Sequence, residues 1–263
     1  MHILSCLVLC CVGFLSPNAP ALPGDSANIA PPLGAVGAWP GGDRDDGILE
    51  GGKTRSKALV VVLHGGSWKP KSPAELARSA LDALSSEARK RKLRLLAPPA
   101  PAECRSSVPW IEPAGEALVM ALIVSELQAG RAVADRVYLA GHGSGATAAL
   151  VLAARHPEKF AAVAVWSGTP PPLWDENRQV VGLAHDPVPY LRGVPVYLWT
   201  GDDDPILDRE ALRLFVDGMQ AEAQLDRAYV LHWDHGSGRH DYGAAGPRQG
   251  LKFLQARRKQ RRP

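Results

Sequence analysis

The stretch Arg136-Val-Tyr-Leu-Ala140, followed by Gly141-His-Gly-Ser-Gly145 and Ala146-Thr-Ala-Ala-Leu150, decides the fold. An apolar run with β-branched and aromatic residues ends in glycines and passes at once into a small-residue helix. That reads as a buried strand turning sharply into a helix over 146–155. The same grammar recurs on both sides. Ala58 to Leu63 is a continuous apolar run, as expected of a strand covered on both faces, and it ends in His64-Gly65-Gly66. Ser72, Pro73 and Glu75 form a capping box with proline at the first helical position, predicting a helix to about Arg91. Further strands are expected over 93–97, 161–166, 195–200 and 228–233, and helices over 113–129, 208–223 and 247–257. Strands alternating with helices predict an α/β three-layer sandwich on a mostly parallel sheet. Ligands of such sheets bind beyond the carboxyl ends of the strands.

Composition fits one large domain or two small ones. The chain has 263 residues, 46% hydrophobic and 22% charged, which is too apolar for a disordered chain. No heptads or long repeats suggest a coiled coil or a solenoid. Of the net +3, Arg257, Arg258, Lys259, Arg261 and Arg262 contribute five positive charges, leaving −2 on the remainder. That is a near-neutral globule with a basic tail, read as a solvated, frayed end, and it argues against a nucleic-acid partner.

Ile3 to Leu15 is apolar and, at 13 residues, too short to span a bilayer. With the small-x-small Ala19-Pro20-Ala21 it reads as a signal peptide over 1–21, although no Lys or Arg precedes it. The expectation is an exported protein, secreted or periplasmic, with no stable membrane span in the mature chain. Only Cys6 among the leader cysteines has the small preceding residue that lipoprotein anchoring would ask for. A Gly/Pro-rich arm over 22–57, carrying one or two short edge strands, leads into a domain over 58–256 and the tail at 257–263. Cys104 is the one cysteine beyond the leader, so it has no disulfide partner there.

Three loops at strand ends carry chemistry-bearing residues. His64-Gly65-Gly66 lets backbone N–H groups approach a developing oxyanion. Gly201-Asp-Asp-Asp204-Pro205 offers an acid to orient a histidine. Asp204 is the choice, with Asp202 and Asp203 as alternatives or as helix caps. Gly236-Ser-Gly-Arg-His240 places a histidine as general base, 36 residues after Asp204. His232, Asp234, His235 and His240 fit no standard metal-ligand spacing, so no metal is expected.

These motifs resemble the phospholipase/carboxylesterase (acyl-protein-thioesterase-like) group of α/β-hydrolases. The resemblance runs from about Ala58 to Leu254. It rests on Val61-Val-Leu-His-Gly-Gly66, Leu96-Ala-Pro-Pro-Ala-Pro101 with Trp110, Phe160 to Pro171 with Trp166-Ser-Gly168, the Gly201–Pro205 acid motif, and His240 followed by Leu254. It implies hydrolysis of small-molecule acyl esters or thioesters, no cofactor, Asp204 and His240 as catalytic residues, and Gly66 as an oxyanion donor.

The nucleophile is where the pattern departs. The family elbow is Gly-x-Ser-x-Gly. Aligning Gly141 and Gly145 with its two glycines puts Gly143 in the nucleophile slot and leaves Ser144 to give its backbone N–H to the oxyanion hole. Ser144 serves as nucleophile only if the turn shifts by one, which puts His142 in a crowded position that favours a small residue. Three readings stay open: an esterase using Ser144, a catalytically degenerate hydrolase that binds an acyl or other small ligand, or slow hydrolysis by water that His240 activates. The Thr169–Arg192 loop, with Trp174 and Tyr190, is placed to shape the acyl pocket, with ordinary packing the simpler role for both aromatics.

Overall fold

The computed structural model describes residues 48–53, 55–168, 172–174, 180–183 and 191–259. The leader and most of the arm therefore lie outside the described residues. So do Tyr190 and the side chain of Trp174.

A seven-stranded sheet runs in the order β1 (Leu49–Gly52), β3 (Arg94–Ala97), β2 (Leu59–Leu63), β4 (Val137–His142), β5 (Ala162–Trp166), β8 (Val196–Gly201) and β9 (Leu231–Gly236). Only β1 is antiparallel to its neighbour, pairing Leu49 with Ala97 and Gly52 with Arg94. The other pairings are parallel. The helices are α1 (Pro73–Lys90), α2 (Pro113–Gln128), α3 (Ser144–Arg155), α4 (Arg209–Leu225) and α5 (Gly246–Gln255).

Alternation along β2 shows why the strand is apolar throughout. Leu59, Val61 and Leu63 join one core with Val119, Leu150 and Phe215 of α2, α3 and α4. Val60 and Val62 join the opposite core with Leu81 and Leu84 of α1 and Leu251 and Leu254 of α5. Both faces are covered, which makes the three-layer sandwich. Ser72 caps α1 as expected, with its hydroxyl on the Glu75 N–H and the Glu75 carboxylate returned to the Ser72 N–H.

Several boundaries differ from expectation. The arm does carry a short edge strand, β1, whose pairing with β3 starts the sheet ahead of Ala58. The last strand lies three residues later than expected. Asp226 accepts the Ala228 N–H on its side chain and the Tyr229 N–H on its carbonyl, holding a turn until pairing starts at Leu231 opposite Val196. The loop after β5 contains a two-stranded ribbon, β6 (Pro172–Trp174) and β7 (Val180–Leu183). The basic tail is docked through Lys259. The Arg257 carbonyl accepts the Tyr138 hydroxyl at 2.8 Å, and the Lys259 N–H donates to the Asp135 carbonyl at 3.0 Å.

Candidate active site

The carboxyl ends of β2, β4, β8 and β9 converge on one place. At the end of β4, Gly143 caps α3 with φ 56° and ψ −124°, a conformation that glycine adopts without strain. The helix therefore starts at Ser144, two residues before the expected Ala146. Crowding dictates the glycines around it. A Cβ on Gly141 would meet the Gly145 carbonyl oxygen at 2.1 Å, and one on Gly145 would meet the Leu63 carbonyl oxygen at 2.2 Å. Gly141 and Gly145 are thus positions that tolerate only glycine, while His142 has room for its ring.

A Cβ built on Gly143 points at His240, 2.9 Å from Nε2. His240 in turn is held by Asp204, with Nδ1 and Oδ2 2.9 Å apart. Of the three consecutive aspartates, Asp204 is the buried one. Its second oxygen accepts the Ile206 N–H at 2.9 Å. Asp202 instead faces His235 at 3.0 Å on the surface. With Nδ1–H donated to Asp204, neutral His240 presents its Nε2 lone pair toward Gly143. Backbone bonds lock the two loops together: Asp202 N–H to the Gly236 carbonyl at 2.9 Å, and Asp203 N–H to the Gly238 carbonyl at 3.0 Å.

His64 organises the β2 loop. Its Nε2 accepts the Ala100 N–H at 3.2 Å, and its carbonyl accepts the Trp110 indole N–H at 3.0 Å. Burial lowers its pKa, which keeps it neutral and structural. Gly65 makes the close approach, since a Cβ there would lie 2.4 Å from the His142 carbonyl oxygen, whereas Gly66 is exposed and uncrowded. Ser144 is the first residue of α3, so its N–H has no acceptor within the helix. No hydrogen bond joins its hydroxyl to His240 among the described residues.

Three further residues, His142, Tyr242 and Ser167, shape the site through contacts that the sequence did not show. His142 stacks on Tyr242, with ring centroids 4.6 Å apart, and meets His240 edge-on at 4.9 Å. Burial, with the neighbouring His240, lowers its pKa to about 4. Ser167 sits at φ 50°, a costly conformation for serine, and donates its hydroxyl to the Asp241 carbonyl at 2.9 Å, bracing the histidine loop. Its place just past β5, at the carboxyl end of the sheet, was the available signal. Among the described residues, no group of three or more His, Cys, Asp or Glu side chains could hold a metal ion. His232 stacks on Tyr197, and Cys104 is a free thiol whose pKa burial raises.

Strand order and the acid–histidine pair at the strand ends define an α/β-hydrolase fold. Within that class the likenesses are to esterases and serine hydrolases. The family model Esterase matches residues 118–244, the stretch that contains Gly143, Asp204 and His240. FphF, a fluorophosphonate-binding serine hydrolase of Staphylococcus aureus, superposes with a TM-score of 0.55 at 15% identity, over 76% of this chain and 84% of its own. An S-formylglutathione hydrolase from Agrobacterium tumefaciens gives 0.56 at 17% identity, over 80% and 88%. A thermostable esterase gives 0.56 at 18%, over 78% and 56%. No curated protein matches the sequence. Among the described residues no helix is long and apolar enough to cross a membrane.

Proposed function

We propose that the chain is a carboxylic-ester hydrolase acting on small acyl esters or thioesters, with water that His240 activates in place of a serine nucleophile. The observation that carries this reading is the intact Asp204–His240 pair aimed at a glycine. His240 Nε2 takes a proton from water as the water oxygen bonds to the carbonyl carbon. The N–H groups of Gly66 and Ser144 receive the oxyanion. Collapse breaks the bond to the alcohol or thiol, which leaves with the proton from His240, and the acid departs. Asp204 fixes the tautomer and stabilises the imidazolium. Ser144 is not the chosen nucleophile, because it opens a helix and the His240 lone pair faces the residue before it.

A second reading, acyl binding without turnover, draws support from the 2.9 Å approach of His240 to the Cβ position of Gly143. The same experiment separates the readings. The full chain is assayed with p-nitrophenyl acetate and butyrate, and incubated with a fluorophosphonate before intact-mass analysis. Water catalysis gives turnover without a burst and without an adduct, falling about 10²-fold in His240→Ala and surviving in Ser144→Ala. An adduct lost in Ser144→Ala overturns it in favour of a serine esterase. Absent turnover, with retained acyl-ligand binding, overturns it in favour of the binder. Export, inferred from residues 1–21, is tested by N-terminal sequencing of the protein recovered outside the cytoplasm.

A further inference from the structure

A cleft of about 410 Å³ at the other end of the sheet is lined by Lys53, Arg55, Ser56, Lys57, Lys92 and Arg136. Lys57, Lys92 and Arg136 precede β2, β3 and β4, and Lys53 follows antiparallel β1. All four therefore stand at the amino ends of the parallel strands, away from Gly143 and His240. No carboxylate lies among the lining residues. The five cations form no ion pair recorded among the described residues, in a chain whose charge without its tail sums to −2. Asp135, next to Arg136, faces Arg258 instead, at 4.0 Å.

The cleft is held by the backbone. The Lys53 N–H donates to the Leu93 carbonyl at 2.7 Å, the Ser56 N–H to the Lys53 carbonyl at 2.8 Å, and the Val133 N–H to the Lys57 carbonyl at 3.2 Å. The Ser56 hydroxyl donates to the Lys92 carbonyl at 2.5 Å and accepts the Ala58 N–H at 3.1 Å, so it is spent on structure. Lys92 is held at φ 57°, in the left-handed region that lysine rarely adopts. The Nε of Arg136 is buried without a hydrogen-bond partner. Cations that line one cleft with no carboxylate among the described lining residues repel one another, and an anion among them removes that repulsion.

We propose that this cleft binds a compact, multivalent phosphate anion of the diphosphate or triphosphate class. The side chains left to meet a ligand are all cationic donors, so the ligand must present acceptors only. Donated O–H and N–H groups of a sugar or base find no acceptor among these side chains, while clustered phosphate oxygens satisfy two guanidinium groups and three ammonium groups together.

The test is calorimetric titration of the full chain with inorganic tripolyphosphate, with orthophosphate and citrate as comparisons. Saturable binding of tripolyphosphate, tighter than of orthophosphate or citrate and weakening with added salt, is expected. Arg55→Ala with Lys57→Ala together weaken it about 30-fold. Lys92→Gly weakens it about fivefold while leaving the fold at least as stable, since glycine suits that backbone. That variant keeps the test valid should the double variant fold poorly. Lys71→Ala with Arg78→Ala, beside the amino-terminal end of α1 and outside the cleft, leaves binding unchanged. Unchanged affinity in folded Lys92→Gly and Arg55→Ala/Lys57→Ala proteins, equal affinity for citrate, no binding of tripolyphosphate, or binding to phosphatidylglycerol vesicles alone would overturn the proposal.

Discussion

His240 stands in the space that a side chain on residue 143 would need, its Nε2 2.9 Å from the Cβ position of Gly143. Asp204 anchors the far side of the ring at 2.9 Å, so the histidine is oriented by the acid and stands against the glycine. Gly143 itself lies at φ 56°, in the left-handed region.

Gly143→Ser tests that relationship directly. The positive φ costs a serine on the order of 1–3 kcal/mol, and the ring must withdraw by a few tenths of an ångström. The expected variant is less stable in urea than the wild type by about that amount. It gains a fluorophosphonate adduct, seen by intact mass, and burst kinetics with p-nitrophenyl butyrate. Gly143→Ala matches the stability loss without gaining the adduct. An adduct on the wild type that persists in Ser144→Ala would contradict the expectation.

His142 makes stability depend on pH in a defined window. Its pKa is lowered to about 4 from 6.5, first by burial and then by the neighbouring His240. Between those values the unfolded chain binds a proton that the folded chain refuses. The contribution is therefore whole above pH 6.5 and is lost as pH falls toward 4, to a maximum of about 3 kcal/mol. Glu116 acts lower down. Burial alone would raise its pKa, but hydrogen bonds and charges from His156 and Arg155 bring it below the usual value, so its contribution fades only under about pH 4.5. Urea unfolding from pH 4 to 7 should show a slope that His142→Phe flattens above pH 4.5. An unchanged slope would remove His142 from the account.

Gly201 holds the acid loop against the histidine loop. A Cβ there would lie 2.3 Å from the Gly238 carbonyl oxygen and 2.4 Å from that of Arg239, both backbone atoms unable to swing away. Gly201→Ala should therefore lower the thermal midpoint, with a loss of about 1–3 kcal/mol, and suppress any ester hydrolysis as strongly as Asp204→Asn. Normal turnover in Gly201→Ala would mean that the loops separate without disturbing the pair.

The layers, the strand-to-helix turn around Gly143 and the Asp204–His240 pair were legible because each rests on local pattern. Val60 to Leu63 is apolar on both faces, the Ser72 box announces its helix, and Asp204 sits just before Pro205 after a strand. The three-way choice among Asp202, Asp203 and Asp204 was a question of burial, which needs the loop packing that buries only the last. What stayed hidden is long-range. Nothing near His64 in sequence says that Ala100 and Trp110 bind it. The basic tail looked solvated because Tyr138 and Asp135, which hold it, lie more than a hundred residues upstream.

Arg94 is the clearest of these hidden partners, and it supports a final prediction. It sits buried on β3, where its guanidinium reaches Glu126 on α2 and donates to Glu50 at 2.7 Å and to the Arg131 carbonyl at 3.0 Å. Arg131 closes the network on Glu126 at 3.0 Å. Removing the buried cation takes away the closest counter-charge of an almost wholly buried carboxylate and leaves it the partly exposed Arg131. Arg94→Met should cost about 3–5 kcal/mol in urea unfolding, more than Arg131→Met, whose partly exposed side chain can be replaced by water. Replacing Glu126 as well, as Arg94→Met/Glu126→Met, should recover part of the loss, because the buried charge that has lost its buried counter-charge is then gone. A double variant less stable than Arg94→Met alone would mean that packing and hydrogen bonds to Glu126 outweigh its charge.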